Sequence, residues 1–110
     1  METGTQERLA KNESFFRQVN EKIREVAERL QGEQQYEFLC ECADPSCTER
    51  IELTRDEYET VREKPTRFVL ARGHTSPAVE HVVEHEAAHV VIEKVGVAGA
   101  IAAKLNPRAA

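Results

Sequence analysis

Leu39-Cys40-Glu41-Cys42-Ala43-Asp44-Pro45-Ser46-Cys47-Thr48 holds every cysteine of this chain, three thiols within eight residues on a turn containing Asp-Pro. Cys-x-Cys sets two sulfurs on one edge of a turn. The four residues before Cys47 leave a loop just long enough to swing a third thiolate to within about 2.3 Å of the same zinc ion. One more ligand completes a tetrahedral Cys3His site. His74 is expected to supply it, with His81, His85 and His89 as rivals. Four protein ligands leave no position for water, so the zinc expected at Cys40, Cys42, Cys47 and His74 is structural, and the fold should be built around this knuckle.

Working outward, Tyr36-Glu-Phe-Leu-Cys-Glu41 reads as a strand into the knuckle and Arg50-Ile-Glu-Leu-Thr54 alternates as a strand out of it. The two should pair as a hairpin with the metal at its tip. Thr54-Arg-Asp-Glu57 is a capping box, so a short helix is expected to start there, carry Tyr58 and Val61 inward and stop at Lys64-Pro65. Arg67-Phe-Val-Leu-Ala71 reads as a strand that ends at Arg72-Gly73-His74, and Ser76-Pro77 marks a break. Glu80 to Glu84 and Val90 to Lys94 are rich in valine and isoleucine and suit a second hairpin, connected through His85 to His89. Alanines at helical spacing from Gly96 to Lys104 suggest a last short helix before Asn106-Pro107.

The N-terminal part has a different grammar. Leu9, Asn12, Phe16, Val19, Ile23, Val26 and Leu30 are spaced alternately three and four apart, which is three heptads of seam positions interrupted once by Asn12. An amphipathic helix is therefore expected over residues 7–31, ending at Gly32. Its seam should pack on its own domain, on a second copy of the chain as in a coiled coil, or on another protein. The fold class read from these elements is α+β, a long N-terminal amphipathic helix plus a small antiparallel sheet with a zinc knuckle. The division is a flexible N-terminus at 1–6, the helix at 7–31, a zinc-stabilised α+β core at 33–105 and a flexible C-terminus at 106–110, in a single domain.

Composition narrows the function classes. A chain of 110 residues, 40% hydrophobic and 32% charged, suits one globular domain with a modest core, to which a structural metal would add stability. No apolar run approaches the roughly 20 residues of a membrane span, and the opening Met-Glu-Thr-Gly-Thr-Gln-Glu lacks a basic, apolar leader, so a cytoplasmic location is expected. In that reducing setting three clustered cysteines suit a metal better than a disulfide framework. The net charge is −5, and residues 33–59 hold nine acids against Arg50 and Arg55. An acidic knuckle argues against nucleic acid as a partner, which would call for a basic stripe.

His85-Glu86-Ala87-Ala88-His89 matches H-E-x-x-H, in which two histidines one helical turn apart hold zinc and the glutamate acts as general base. That chemistry requires a helix. The flanking Val79, Val82, Val83, Val90, Val91, Ile92 and Val95 favour strands instead, and downstream of His89 only Glu93 offers a third ligand. Gly-x-Gly-x-x-Gly, the P-loop and Gly-x-Ser-x-Gly are all absent from the sequence.

The series Phe38-x-Cys-Glu-Cys42, Cys47, Ile51-x-Leu-Thr-x-x-Glu-Tyr58-x-x-Val-Arg62, Pro65-x-x-Phe68, Gly73-His74 and Val91-x-Glu-Lys-Val-Gly96 resembles a group of small actinobacterial proteins. Those proteins share Cys-Glu-Cys, Glu-Tyr-x-x-Val-Arg and a Gly-His after a strand. The resemblance spans roughly residues 8 to 105. It implies that Cys40, Cys42, Cys47 and His74 form the metal set and that residues 79–95 form strand, turn and strand; it implies no reaction.

The expected function is therefore a zinc-stabilised protein-interaction or regulatory module without catalytic activity, docking another protein or a second copy through the residue 7–31 helix, the acidic hairpin or both. A minimal zinc hydrolase using His85, Glu86 and His89 is one alternative. The other is a redox switch at the three thiols.

Overall fold

In the computed structural model α1 (Thr3–Leu30) is followed by β1 (Gln35–Leu39), β2 (Arg50–Thr54), α2 (Arg55–Arg62), β3 (Arg67–Ala71), β4 (Glu80–His85), β5 (His89–Lys94) and α3 (Gly96–Lys104). The structure describes residues 3–30, 34–42, 44, 46–75, 79–106 and 108, with side chains from Lys11 onward. The fold is α+β. The expected helix end at Gln31-Gly32 and the Ser76-Pro77 break lie outside the described residues. At its other end α1 starts at Thr3 rather than Glu7, so the helix takes in part of the expected flexible N-terminus.

The strands form two antiparallel sheets where one was expected. β1 and β2 pair in register from Gln35 opposite Thr54 to Leu39 opposite Arg50. β3, β5 and β4 form a second sheet in that order, with Val69 opposite Val91 and a bulge between Val82 and Glu84. What divides them is the segment between the first two cysteines. The Glu41 N–H donates to the Val69 carbonyl at 2.8 Å and the Glu41 carboxylate accepts the Val69 N–H at 3.0 Å. A side chain thus replaces the backbone rung that would have merged the sheets. Phe38, Ile51, Leu53, Tyr58, Phe68, Leu70 and Ile92 form the core between them. The Phe38 and Tyr58 rings stack there at 4.5 Å between centroids.

Local signals set the element limits. Thr54 accepts the Glu57 N–H while Glu57 accepts the Thr54 N–H, the reciprocal capping box that fixes the start of α2 and turns Tyr58 and Val61 inward. α3 covers Gly96–Lys104 as expected. It lies so close to the end of β5 that a Cβ on Gly99 would meet the Lys94 carbonyl oxygen at 2.8 Å.

The face that α1 presents to the domain differs from the heptad seam. Phe16 is buried and Ile23 packs on the core, but Val26 and Leu30 are 51% and 60% exposed. The buried face runs through Glu13, Arg17, Asn20 and Ala27. The helix is turned so that polar side chains which find partners inside displace seam residues to its flank. Arg17 donates to the carbonyls of Pro65 at 2.7 Å and Ala102 at 2.9 Å, and its guanidinium lies 4.2 Å above the Phe68 ring centroid. Arg108, in the expected flexible terminus, is fastened by forked hydrogen bonds to Glu59 at 2.9 and 3.1 Å and to Glu21 at 2.7 Å.

Candidate metal centre

Cys40 follows the last residue of β1, and its N–H donates to the Glu49 carbonyl at 3.2 Å, continuing the hairpin pairing by one rung. The loop then folds back on itself. Asp44 accepts both the N–H of Ser46 at 2.9 Å and its hydroxyl at 2.7 Å, and the Asp44 carbonyl accepts the Cys47 N–H at 3.1 Å. Such an Asx turn delivers Cys47 back toward Cys40 without help from the rest of the fold. The same two Ser46 donors hold the Asp44 carboxyl below its ordinary range.

His74 arrives from β3. The chain leaves Ala71 through a turn closed by the His74 N–H on the Ala71 carbonyl at 3.2 Å, and Gly73 takes φ +87°. That conformation strains any side chain, which explains a glycine immediately before the histidine. The His74 Nδ1 reaches Cys40 Sγ at 3.5 Å and Cys47 Sγ at 3.6 Å. Ligand atoms of Cys40, Cys42, Cys47 and His74 all lie within 4.8 Å of one another, so the four can hold a metal ion. In a tetrahedral site with bonds of about 2.3 Å to sulfur and 2.0–2.1 Å to imidazole nitrogen, the sulfur–nitrogen edge is about 3.5–3.6 Å. The geometry fits such an ion.

The surroundings show why a cation suits these thiols. Cys40 and Cys42 are buried, and Cys47 and His74 half-buried. Burial pushes the Cys40 and Cys42 thiols up, favouring the neutral form. Backbone donors oppose it: the Ala71 N–H points at Cys40 Sγ at 3.2 Å, and the amides of Cys42 and Asp44 act on Cys40 and Cys42 in the same sense. N–H groups aimed at sulfur are the outer-shell contacts that orient thiolate ligands and spread their charge.

Behind the cysteines stands a support that the residue pattern did not disclose. Glu41 is fully buried, and its carboxylate accepts hydrogen bonds from Asn20 Nδ2 at 2.9 Å, the Tyr58 hydroxyl at 2.7 Å and the Val69 N–H at 3.0 Å. Burial pushes the Glu41 carboxyl up and these three donors pull it down. Asn20 also grips the backbone of Leu39 on both its N–H and its carbonyl. The loop carrying Cys40 and Cys42 is thereby joined to α1, α2 and β3 together. The one available signal was the period of two in Cys-Glu-Cys, which sends Glu41 away from the side of its neighbouring sulfurs.

The other histidines do not join the cluster. His85 ends β4 and His89 begins β5, with the Glu86 N–H donating to the His89 carbonyl at 2.9 Å. The H-E-x-x-H match thus spans a hairpin rather than one face of a helix. His81 lies on β4 opposite Glu93. Among the described residues, Cys40, Cys42, Cys47 and His74 are the metal-competent group.

Comparison of the chain with protein-family models, curated proteins and solved structures found no match. The resemblance to the actinobacterial group therefore rests on its motifs, of which the four metal-competent residues do stand together in space. Among the described residues no helix is long and apolar enough to cross a membrane.

Proposed function

We propose that the chain is a zinc-stapled interaction or regulatory module without catalytic activity of its own. The observation that carries this reading is the convergence of three sulfurs and a His74 ring nitrogen within 4.8 Å of one another, with His74 Nδ1 at tetrahedral-edge distance from Cys40 and Cys47 Sγ, between a hairpin loop and the end of β3. Three thiolates with one imidazole in tetrahedral array favour zinc, and four protein ligands leave it no open position for substrate or water. The role left to the ion is to clamp the knuckle to β3.

Two surfaces support docking as the activity. Along α1 the side chains of Phe15, Val26 and Leu30 stand out from the domain, each more than half exposed. A groove of about 490 Å3 lies between the β1–β2 hairpin and the tip of the β4–β5 hairpin, bordered by Glu37, Glu52, Glu57 and Glu86 against the one cation Arg50 among its described residues. Its charge suits a basic segment of a partner protein rather than nucleic acid.

The test is metal stoichiometry by native mass spectrometry on the wild-type chain and its Cys47→Ser and His85→Ala variants. One zinc per chain, lost with Cys47 and kept without His85, is the expected result. Zinc lost with His85 instead would overturn the closed-site reading and direct the search to hydrolysis.

A further inference from the structure

The three sulfurs of the knuckle are not equally sheltered. Cys40 and Cys42 are 2% and 4% exposed, whereas Cys47, at the end of the turn that Asp44 closes, is half-buried. Cys40 is also the most firmly held. Its sulfur receives the Ala71 N–H at 3.2 Å and lies 3.5 Å from His74 Nδ1, and its own N–H is bound to the Glu49 carbonyl. A small oxidant arriving from solvent therefore meets Cys47 first.

The backbone also separates the ways in which two of these sulfurs could join. The Cys42 side chain contacts those of both Cys40 and Cys47, and all three sulfurs lie within 4.8 Å of one another, so a bridge of about 2 Å needs only short movements. A Cys40–Cys42 bridge would bend the chain at Glu41, whose N–H and carboxylate are both bound to Val69. A Cys40–Cys47 bridge would draw the Cys40 sulfur off the Ala71 N–H. Cys42 and Cys47 both follow Glu41 and are joined by four loop residues. The backbone donor that Cys42 accepts comes from Asp44, inside that same loop, and can move with it.

We propose that Cys47 is an oxidant-reactive thiol with Cys42 as its resolving partner, so that a hydroperoxide converts the knuckle from a metal clamp into a Cys42–Cys47 disulfide. The inference rests on the zinc-clamp reading and adds a regulation to it. The Cys47 thiolate attacks one peroxide oxygen: the S–O bond forms, the O–O bond breaks and hydroxide leaves, with the sulfur oxidised to a sulfenic acid. The Cys42 thiolate then attacks that sulfur, the S–S bond forms, the S–O bond breaks and a second hydroxide leaves. Two protons from solvent turn both hydroxides into water, and the two thiolates have given two electrons to one peroxide. Only Cys40 and His74 then remain to hold an ion that takes four ligands in a closed site. The hydrogen bonds of Glu41 to Asn20, Tyr58 and Val69 use no sulfur, so the strand end stays joined to α1, α2 and β3 while the loop beyond it comes free.

The experiment treats the full-length, zinc-loaded chain with hydrogen peroxide and follows zinc release with a chromophoric chelator. The product is then denatured, alkylated and mapped by mass spectrometry. One zinc per chain should be released, with Cys40 alkylated and Cys42 joined to Cys47, and both changes should be reversed by dithiothreitol and added zinc. Cys47→His keeps a nitrogen ligand at the exposed position and leaves only buried thiols, so it should release zinc about tenfold more slowly. If that variant does not take up zinc, the wild-type map decides alone. Zinc retained through the peroxide treatment, or released with any other cysteine pairing, would overturn the proposal while leaving the clamp reading in place. A wild-type chain that takes up no zinc before the oxidant is added would instead overturn the clamp reading, and the proposal with it.

Discussion

Asn20 meets the backbone of Leu39 twice, accepting its N–H at 2.7 Å and giving an amide N–H to its carbonyl at 2.9 Å. One side chain of α1 thus takes the place of a neighbouring strand at the residue before the first metal-competent cysteine. The same amide nitrogen also reaches the Glu41 carboxylate, so helix, strand end and knuckle share a single buried polar joint.

Asn20→Ala should therefore cost more than an ordinary helix substitution. It leaves two backbone groups of Leu39 and one contact of a buried carboxylate unmet, for an expected loss of about 2–4 kcal/mol in urea unfolding. Zinc affinity, measured by competition with a chromophoric chelator, should fall with it. Unchanged affinity in a destabilised variant would show that α1 supports the fold but not the knuckle.

Removing the metal should soften the whole domain. Where free zinc exceeds its dissociation constant a thousandfold, binding contributes about 4 kcal/mol of apparent stability. For a domain of this size that is roughly 15–30 °C in melting temperature, to be seen by calorimetry before and after chelation. An identical melting curve would sink the structural-zinc reading.

Acid should release the same ion. Zinc binds thiolates and neutral imidazole, and burial favours the protonated thiols of Cys40 and Cys42 when no cation is present. Binding should release about three protons near neutral pH, and affinity should drop steeply as pH falls. Calorimetric titration in buffers of different ionisation enthalpy counts those protons. A count near zero would mean that the cysteines are not the ligands.

Thr54→Ala removes one half of the capping box while leaving every candidate ligand in place. A loss of about 1 kcal/mol in unfolding free energy is expected, with zinc stoichiometry unchanged. Loss of zinc in this variant would indicate that α2 positions the site more directly than its contacts suggest.

Leu30→Ser tests the exposed flank of α1. A side chain 60% exposed should cost less than about 0.5 kcal/mol on removal. If the flank joins two copies, sedimentation velocity should show the variant shifted toward monomer at equal concentration. An unaltered distribution would turn attention to a different protein as the occupant, or to the acidic groove.

The sequence determined what depends on short range. A hairpin from Gln35 to Thr54, a helix starting after Thr54, a strand over Arg67–Ala71, a second hairpin and a helix over Gly96–Lys104 were all legible, because alternation, capping residues and glycine turns act within a few positions. The metal-competent quartet was legible too, for three of its members sit on one loop and the fourth follows a glycine at a strand end. The tertiary structure decided how α1 is rotated, why there are two sheets, and which charges lie inside. A heptad pattern marks an apolar stripe but cannot register that Glu13, Arg17 and Asn20 each find a partner 19 or more residues away in the chain. Burying a polar group costs little only when such a partner is in place, and those partners come together only once the sheets have formed.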